Sequence, residues 1–351
     1  MLLIYGSTGY TGRLIVAEAL ARGLRPTLAG RNADAVRTQA QSSGLEWRAA
    51  RIDDPTALDR ALAGAAVVLH CAGPFAHTWR AMSDACLRRG AHYLDITGEI
   101  GVFEGLASRD AEARAAGIML LPGVGFDVVP SDCLGAHLAR RMPNAVQLRL
   151  AFRSLGGMSH GTLQTMIENL GSPGAVRRDG TIVPVPPAWR TRRIDFGDGK
   201  LRDATTIPWG DVSTAFHSTG IPNIEVYVSM RPALRWAMIA SRALGPLLRS
   251  GIVRRFLAAR VRAGPAGPSE AERERGASLL WGEAVGANGE RAEARLRGSS
   301  GYVMTAQTAV HLAKKALGGE VRDGFQTPSR AYGEDVILEI PGVTRTDVTR
   351  S

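Results

Sequence analysis

The sequence contains little cysteine. Its three cysteines, Cys71, Cys86 and Cys133, lie far apart and form no CxxC pair among the 351 residues. This number and spacing exclude a disulfide-stapled scaffold and a cysteine-based zinc site, and we predict no metal site. We expect reduced, buried thiols and a cytoplasmic protein.

Lysine is also scarce. It occurs only at positions 200, 314 and 315, so arginine supplies nearly all of the positive charge behind the net charge of +10. The arginines are spread over the whole chain and are not interleaved with aromatic residues, as a platform for single-stranded nucleic acid requires. The preference for arginine over lysine indicates a bias of the coding sequence rather than a groove that binds phosphates. We therefore expect no nucleic-acid partner.

Long hydrophobic runs are missing as well. The longest stretch without charge, Ala61 to Trp79, carries two histidines, a proline and two glycines. This composition indicates a buried strand with its loop and excludes a membrane span there. Because an apolar strand begins directly after Met1, we expect no leader segment.

The stretch that is most informative is the first one, Met1 to Arg13. Leu2 to Tyr5 form a short apolar run, three glycines follow at three-residue spacing, and a helical pattern continues to Ala21. The first glycine permits a sharp turn, the second a close approach of a pyrophosphate, and the third close packing of helix on strand. The diphosphate would bind free N–H groups at the positive end of the helix dipole. The alternative is a tight turn without a ligand. The cofactor-binding residues predicted in this turn are Gly6, Ser7, Thr8, Gly9, Tyr10, Thr11 and Gly12.

The first third of the chain alternates strands and helices. Repeated units of this length predict an α/β fold, a Rossmann-type doubly wound parallel sheet with right-handed crossovers. The predicted strands are Leu2–Tyr5, Pro26–Ala29, Glu46–Ile52, Ala66–His70, His92–Leu94 and Ile118–Leu121, and Glu99–Ala116 is predicted as a largely helical connection.

The pattern changes in the second part of the chain. Short alternating runs flank the dipeptides Asp198-Gly199 and Asn288-Gly289, which are hairpin signals. We therefore predict a second α+β domain of mainly antiparallel sheet, for substrate binding or for assembly of a homodimer. The helix Tyr302–Leu317 and a strand at Val336–Ile340 are expected to return to the first domain. The predicted domains are 1–144, 145–300 and 301–351.

One helical segment of the second domain, Arg231–Arg262, is basic and amphipathic. Such a helix can lie on an anionic membrane surface, which would make the protein peripheral to a membrane. It can also pack on its own sheet with solvated arginines, and this second interpretation is favoured.

The end of the second strand indicates the type of cofactor. A site specific for NAD usually places Asp or Glu there, whereas this sequence has Gly30-Arg31-Asn32. Arginine suits a 2′-phosphate by its charge and its fork of donors, so we predict NADP(H), bound by Arg31 and Asn32. The nearby Asp34 keeps NAD open as an alternative.

Two further segments are predicted to contact the cofactor. Asp53 is placed to accept a hydrogen bond from the adenine amine, while Asp54 fits better as the cap of the helix that begins at Pro55. The fourth strand ends at the carboxyl edge of the sheet, where the cofactor lies in this fold. Small residues there admit the nicotinamide ribose and the aromatic ring walls the nicotinamide, unless the segment is a plain loop. These residues are Cys71, Ala72, Gly73, Pro74 and Phe75.

Glycine and carboxylates are concentrated in two later stretches, Tyr93–Glu99 and Pro122–Asp132. Asp95, Glu99 and Asp127 are candidates for binding a substrate group or orienting the cofactor. The alternative is a set of turns and helix caps, with Thr97 and Ser131 as N-cap residues.

Five segments, GSTGYTGRL, LAGRN, CAGPF, AHYLDITGE and PGVGFDVVPSD, occur in this order. Together they resemble the saccharopine dehydrogenase-like NADP-binding oxidoreductases, and in particular the branch that contains the trans-acting enoyl reductases of mycobacterial lipid biosynthesis. The resemblance is dense from Met1 to about Arg141. It implies a Rossmann domain, an α+β domain and NADPH-dependent reduction. It also assigns the three glycines of the first turn and Arg31 to the dinucleotide, and Cys71–Phe75 to the nicotinamide loop.

The residues leave the reaction open. Tyr93 has no lysine four positions on, so the Ser/Tyr/Lys set of short-chain reductases is absent. Reduction of a conjugated C=C bond adds hydride at the β carbon and needs an acid for the α carbon, and the candidates are Tyr93, His160 and Asp127, with His77 or water as alternatives. His160 follows a glycine-rich loop and precedes the predicted helix Thr162–Asn169.

Three hypotheses follow from these observations. The first is an NADPH-dependent reductase of an apolar enoyl substrate, acyl or carrier-bound. The second is a reductase acting at C–N bonds of amino-acid adducts. The third is a non-catalytic sensor or scaffold that binds NADP.

Overall fold

The structure is a computed structural model that describes residues 1–155, 159–169, 171–248, 250–264 and 266–349. The chain divides into two units. The first comprises Met1–Val129 and Tyr302–Ala331, and the second comprises Pro130–Gly301 and Tyr332–Ser351.

Strands and helices occur along the whole length of the chain. In chain order the strands are β1 (Leu2–Tyr5), β2 (Thr27–Gly30), β3 (Trp47–Ala49), β4 (Val67–His70), β5 (His92–Asp95), β6 (Met119–Leu121), β7 (Ala145–Leu155), β8 (Gly174–Arg178), β9 (Thr181–Val185), β10 (Thr191–Asp195), β11 (Leu201–Thr206), β12 (Asn223–Ser229), β13 (Ala277–Gly286), β14 (Arg291–Ser299), β15 (Gly324–Phe325) and β16 (Thr344–Val348). The helices are α1 (Tyr10–Ala21), α2 (Ala33–Ser43), α3 (Pro55–Ala61), α4 (Trp79–Arg89), α5 (Ile100–Ala107), α6 (Asp110–Ala115), α7 (Val129–Arg141), α8 (His160–Glu168), α9 (Asp211–Thr219), α10 (Pro232–Leu248), α11 (Gly251–Arg262), α12 (Glu270–Arg275), α13 (Gly301–Leu317) and α14 (Pro328–Tyr332).

The first unit is built on a parallel sheet in the order β15-β6-β5-β4-β1-β2-β3. β1 and β4 are buried along their whole length, as expected for central strands covered by helices on both faces. The order reverses between β1 and β4, which makes the carboxyl ends of these two strands the switch point where ligands bind in this class of fold. The predicted doubly wound parallel sheet is confirmed.

The second unit is built on a sheet in the order β10-β11-β12-β7-β13-β14-β16, with β8 paired to β12 and to β9. β12 and β7 are parallel, and the other pairings are antiparallel. Both predicted hairpins are present, with Gly199 and Gly289 at positive φ in the turns. The α+β character of the second part of the chain is therefore confirmed.

Side chains alternate between the two faces of this second sheet. On one face Leu148 and Leu150 of β7 are buried, and Gly135 of α7 packs so closely that an added Cβ would lie 3.2 Å from Leu148 Cδ2. On the other face β7 carries Gln147 and Arg149, next to the buried Glu283 of β13. The second face is therefore partly polar.

Four local predictions are wrong. Val336–Ile340 is not a strand, because Val336–Glu339 is a 3-10 turn with a hydrogen bond from Leu338 N to Asp335 O. The last strand is β16, which pairs with β14 in the second unit. The connection Glu99–Ala116 is largely helical as predicted, in α5 and α6, but Thr97 is not an N-cap, because Glu99 holds that position before α5. Ser131 lies inside α7 and donates to Asp211 at 2.9 Å, so it is not an N-cap.

The basic segment 231–262 forms two helices, α10 and α11. Arg235 pairs with Asp203 at 2.8 Å, and Arg242 donates to the carbonyls of Pro187 and Ala188 at 2.8 Å each. These contacts hold α10 to segments of the second unit. In the described part of the chain, no helix is long and apolar enough to cross a bilayer.

Candidate functional site

The glycine turn lies at the switch point between β1 and β4. Gly6 has a φ of +84°, and a Cβ on it would lie 2.8 Å from the nitrogen of Ala72 in the loop that follows β4. A Cβ on Gly12 would lie 2.3 Å from Gly6 O. Only glycine fits at either position, so the sharp turn and the close helix–strand packing predicted for these residues are present.

The first backbone N–H groups of α1 have no acceptor within the helix and point toward its N-terminal end. Gly9 is the N-cap in an extended conformation and has no side chain with which to cap the helix. The first turn, residues 10–13, contains no Asp or Glu, so no carboxylate of its own neutralises the positive end of the dipole. This terminus is suited to an anionic ligand.

Ser7 tests whether a phosphate fits this turn. It is fully buried, and its Oγ has no hydrogen-bond partner among the described residues. An unpaired buried hydroxyl costs about 1–3 kcal/mol, which a phosphate oxygen accepting from it would remove. Gln39 of α2 fixes the turn from outside, since its Nε2 donates to Ser7 O at 3.0 Å. The residues present therefore fit the diphosphate of a dinucleotide.

Arg31, directly after β2, is exposed and makes no ion pair with any carboxylate in the described ranges. Its neighbours are occupied: the side chain of Asn32 caps α2 by accepting from Ala35 N at 3.1 Å, and Asp34 pairs with Arg37 at 2.7 Å. An uncompensated guanidinium at this position suits a 2′-phosphate better than the ribose hydroxyls. Because the Asp34–Arg37 pair is exposed, NAD binding through Asp34 stays an alternative.

Tyr5 and Asp53 both interact with arginines of the first unit, Tyr5 with Arg31 and Asp53 with Arg51. Burial raises the pKa of Tyr5 to about 12, against the opposing charge of Arg31, and its hydroxyl donates to Ala50 O at 3.0 Å. Asp53 forms a two-bond pair with Arg51, at 2.7 and 2.9 Å, and those bonds lower the pKa of its exposed carboxyl. Adenine recognition by Asp53 stays a prediction. Asp54 caps α3 as predicted, accepting from Ala57 N.

The loop after β4 is fixed by a residue of another segment. Glu99 accepts hydrogen bonds from Phe75 N at 2.8 Å and from Ala76 N at 2.9 Å. From within the loop, Thr78 Oγ1 donates to Ala72 O at 2.9 Å. The loop that contains Cys71, Ala72, Gly73, Pro74 and Phe75 is thus held rigidly, and Glu99 is a positioning residue that the sequence assigned only in general terms.

Asp95 is the centre of a buried network at the end of β5. It accepts from the Tyr93 hydroxyl at 2.6 Å and from the amides of Thr97 and Gly123 at 2.9 Å each. Burial outweighs these bonds and raises the pKa of Asp95 to about 6. Tyr93 is fully buried in the hydrophobic core, and burial together with Asp95 raises its pKa well above the usual range. The placement of Tyr93 does not suit a proton donor to a substrate, so we assign it a core role instead.

Asp127 lies on the loop that follows β6. It is half-buried against Gly98, where an added Cβ would lie 2.8 Å from Asp127 Oδ2, and burial raises the pKa of its carboxyl to about 7. α13 supports this loop, because Thr305 Oγ1 accepts from Phe126 N at 3.0 Å. A carboxyl that titrates near neutrality is suited to general acid catalysis.

Three histidines, His160, His77 and His70, lie in different environments. His160 begins α8 in the second unit, where its Nε2 lies 3.0 Å from Gly264 O, and residues 156–158 of its predicted loop are outside the described residues. His77 is exposed in the 3-10 turn Phe75–His77. His70, which sequence reasoning missed, is fully buried at the end of β4, and burial lowers its pKa to about 3. Its ring centroid lies 5.6 Å from Tyr5 and 5.3 Å from Phe75, so a neutral imidazole packs behind the loop.

Comparisons with known proteins agree with this geometry. Residues 2–121 match the family model described as the saccharopine dehydrogenase NADP binding domain. A trans-acting enoyl reductase of Mycobacterium leprae is 33% identical over 150 residues, which is 40% of this chain and 36% of that protein. A human saccharopine dehydrogenase-like oxidoreductase is 25% identical over 235 residues, or 59% of this chain and 49% of that protein. The chain thus spans less than half the length of these curated relatives. Apo saccharopine dehydrogenase (L-Glu forming) from Saccharomyces cerevisiae has the same fold, with a TM-score of 0.65 at 13% identity over 99% of both chains.

Proposed function

We propose that this protein is an NADPH-dependent reductase of the C=C bond in an apolar enoyl substrate. The premise is that residues 2–121 match the family model of the saccharopine dehydrogenase NADP binding domain. The family accounts for a nicotinamide dinucleotide cofactor. Arg31 is the reason for choosing the phosphorylated form, since no carboxylate among the described residues pairs with it. The observation that supports a reduction is Asp127, a carboxyl that packs against Gly98 on the loop after β6 and whose pKa burial raises to about 7.

The residues that form the candidate site in the first unit each have a task in this mechanism. The amides at the start of α1 and the Ser7 hydroxyl hold the diphosphate, and Arg31 holds the 2′-phosphate. Glu99 fixes the loop of Cys71–Phe75 through two amides, and Phe75 limits the volume open to the nicotinamide. Bound NADPH supplies the hydride. Asp127 holds a proton on its carboxyl near neutral pH and delivers it to the carbon next to the substrate carbonyl.

The apolar character of the substrate has separate support. A relative that is named trans-acting enoyl reductase is 33% identical over 150 residues, or 40% of this chain. In the second unit, α10 and α11 expose the large apolar side chains Leu234, Trp236 and Phe256. Exposed apolar side chains grouped on neighbouring helices mark surfaces that bind apolar ligands or partners. An acyl or polyketide-like chain, free or carried on a protein, is therefore the substrate class that we propose.

The test is oxidation of NADPH by the purified chain with trans-2-enoyl thioesters of increasing length, with the saturated product identified by mass spectrometry. Asp127→Asn should reduce turnover by about 10²-fold or more, the usual range for removing a general acid. The matched control is Asp323→Asn, an exposed carboxylate of the same unit, which should leave turnover unchanged.

Two other outcomes would redirect the proposal. Turnover with an oxo acid plus an amine, and none with enoyl thioesters, would assign the protein to C–N chemistry. Tight binding of NADPH without turnover of either substrate class would favour a non-catalytic sensor.

A further inference from the structure

The second unit contains an open cavity of its own that is lined mostly by polar residues. The cavity measures about 330 Å³ and is lined by three arginines and two amide side chains; its lining residues are Val146, Gln147, Arg149, Arg178, Arg190 and Asn223. Strand register brings these residues together. The parallel pairing of β12 with β7 places Asn223 beside Gln147 and Glu225 beside Arg149, and the two-residue period of a strand keeps them on one face.

Two buried glutamates anchor the arginines. Glu225 is 0% exposed, and its Oε1 accepts from both Arg178 and Arg190, the latter at 3.0 Å. Burial opposes the charge of Glu225, but the bonds from Tyr227 and Arg178 outweigh it and lower its pKa, so it is a carboxylate.

The second anchor is Glu283, which is also 0% exposed. It pairs with Arg149 at 2.6 Å, Arg291 at 3.1 Å and Arg192 at 3.4 Å. Together with the two arginines on Glu225, this sets five arginines against two carboxylates. The two glutamates fix the guanidinium groups in place but leave most of the positive charge uncompensated within the described chain.

The guanidinium groups are held in place before any ligand binds. Trp189 lies under two of them, with its ring centroid 4.1 Å from Arg190 Cζ and 5.1 Å from Arg178 Cζ. The backbone of Arg190 is fixed by a hydrogen bond from its N to Thr206 Oγ1 at 3.0 Å. Preorganised arginines lose little entropy when they bind an anion.

One donor in this cluster lacks a partner. Arg149 uses one terminal nitrogen for Glu283 and the other for Gln147, while its Nε is buried and bonds to no atom of the described residues. A buried, charged N–H group without an acceptor is costly. Because Arg149 lines the cavity, an oxyanion bound there would offset the charge that this guanidinium carries.

We propose that this cavity binds the phosphate group of a small molecule. Planar guanidinium forks match the geometry of phosphate oxygens. A phosphate monoester carries a charge of roughly −1.5 to −2 and three acceptor oxygens at neutral pH, which suits several converging arginines better than the single charge of a carboxylate does. All residues of the site lie in the second unit, so it is distinct from the glycine turn and Arg31 of the first unit.

The experiment titrates inorganic pyrophosphate into the full chain by calorimetry, after saturation with NADP⁺ so that the glycine turn is not available to the probe. The wild type should give saturable heat of binding. Arg190→Gln should weaken binding about tenfold or more, since it removes a charged hydrogen-bond donor while Arg178 and Tyr227 still pair with Glu225. Gln147→Glu, which keeps every arginine but adds a carboxylate to the cavity, should abolish binding.

The controls are chosen to separate this site from the overall positive charge and from the cofactor turn. Arg193→Gln alters the neighbouring exposed arginine on β10 and should change the affinity by no more than about twofold. Saturation with NADP⁺ keeps the probe out of the glycine turn, so a loss of heat in Arg190→Gln reports on this cavity. Thermal unfolding of each variant without ligand verifies the fold.

Three results would overturn the proposal. The first is the absence of saturable heat with the wild type, and the second is equal weakening by Arg190→Gln and Arg193→Gln. The third is binding of citrate as tight as that of pyrophosphate, because this would assign the cavity to carboxylates.

Discussion

Glu99 holds the predicted nicotinamide loop through two backbone amides, and its substitution by glutamine tests that role with almost no change in shape. Glutamine offers one carbonyl oxygen, so one of the bonds to Phe75 N at 2.8 Å and Ala76 N at 2.9 Å becomes neutral. The other amide then faces an NH₂ group and loses its acceptor. A bond to a charged acceptor contributes about 1.5–3 kcal/mol. Because Glu99 is half-buried, we take the lower part of that range and expect Glu99→Gln to lower the free energy of unfolding by about 1–2 kcal/mol.

The measurement is urea denaturation with paired turnover assays. Glu46→Gln serves as the control, since Glu46 is an exposed glutamate of the same unit and its substitution should change the free energy of unfolding by less than about 0.5 kcal/mol. We expect Glu99→Gln to reduce kcat more than it weakens NADPH binding, because the diphosphate and 2′-phosphate contacts lie elsewhere. If both glutamine variants unfold at the same urea concentration and turn over equally fast, Glu99 does not position the loop.

Four further predictions concern the cofactor, the glycine turn and the proton. Arg31→Asp should weaken NADPH binding by about 10-fold or more and leave NADH binding unchanged. It replaces a charged hydrogen-bond donor to the 2′-phosphate with a carboxylate, and calorimetry with both cofactors measures the two affinities. Gly12→Ala should destabilise the fold by about 1–3 kcal/mol, since its Cβ would lie 2.3 Å from Gly6 O, whereas Gly101→Ala, with nothing within 4 Å, should be neutral or stabilising in the same denaturation assay. Turnover should fall as pH rises through the Asp127 pKa of about 7, because the acid must be protonated, and Asp127→Asn should remove that dependence. The folded state also binds this proton more tightly than the unfolded state does, so the contribution of Asp127 to stability should be present at pH 4 and lost as pH rises toward 7, by denaturation across that range.

The parts of the molecule that sequence could predict are those encoded locally. Strand, glycine turn and helix follow one another within 21 residues, and the close contact that requires glycine at position 12 is with Gly6 O in the same turn. The hairpin turns at Gly199 and Gly289 are likewise determined by two residues and their positive φ. Short apolar runs are ambiguous, and this explains why Val336–Ile340 was predicted as a strand but begins as a 3-10 turn.

The parts that sequence could not predict depend on pairing between distant segments. Glu99 reaches Phe75 across 24 residues, and no local pattern marks such a bond. The burial of Tyr93 follows from the position of β5 between β4 and β6, which only the sheet order reveals. Arg149 and Glu225 stand side by side because β7 and β12 are parallel, an arrangement that a mainly antiparallel prediction does not contain.

The support that α13 gives to the Asp127 loop has a consequence for how the protein forms in the cell. Thr305 joins Phe126 across 179 positions of sequence, and residues 302–331 complete the first unit only after the whole inserted segment has been made. When only the first 130 residues have left the ribosome, the glycine turn has therefore been made, but α13, which supports the Asp127 loop, has not. The nascent cofactor-binding unit therefore acquires this support only once α13 has been synthesised, and a fragment truncated before α13 should lack it.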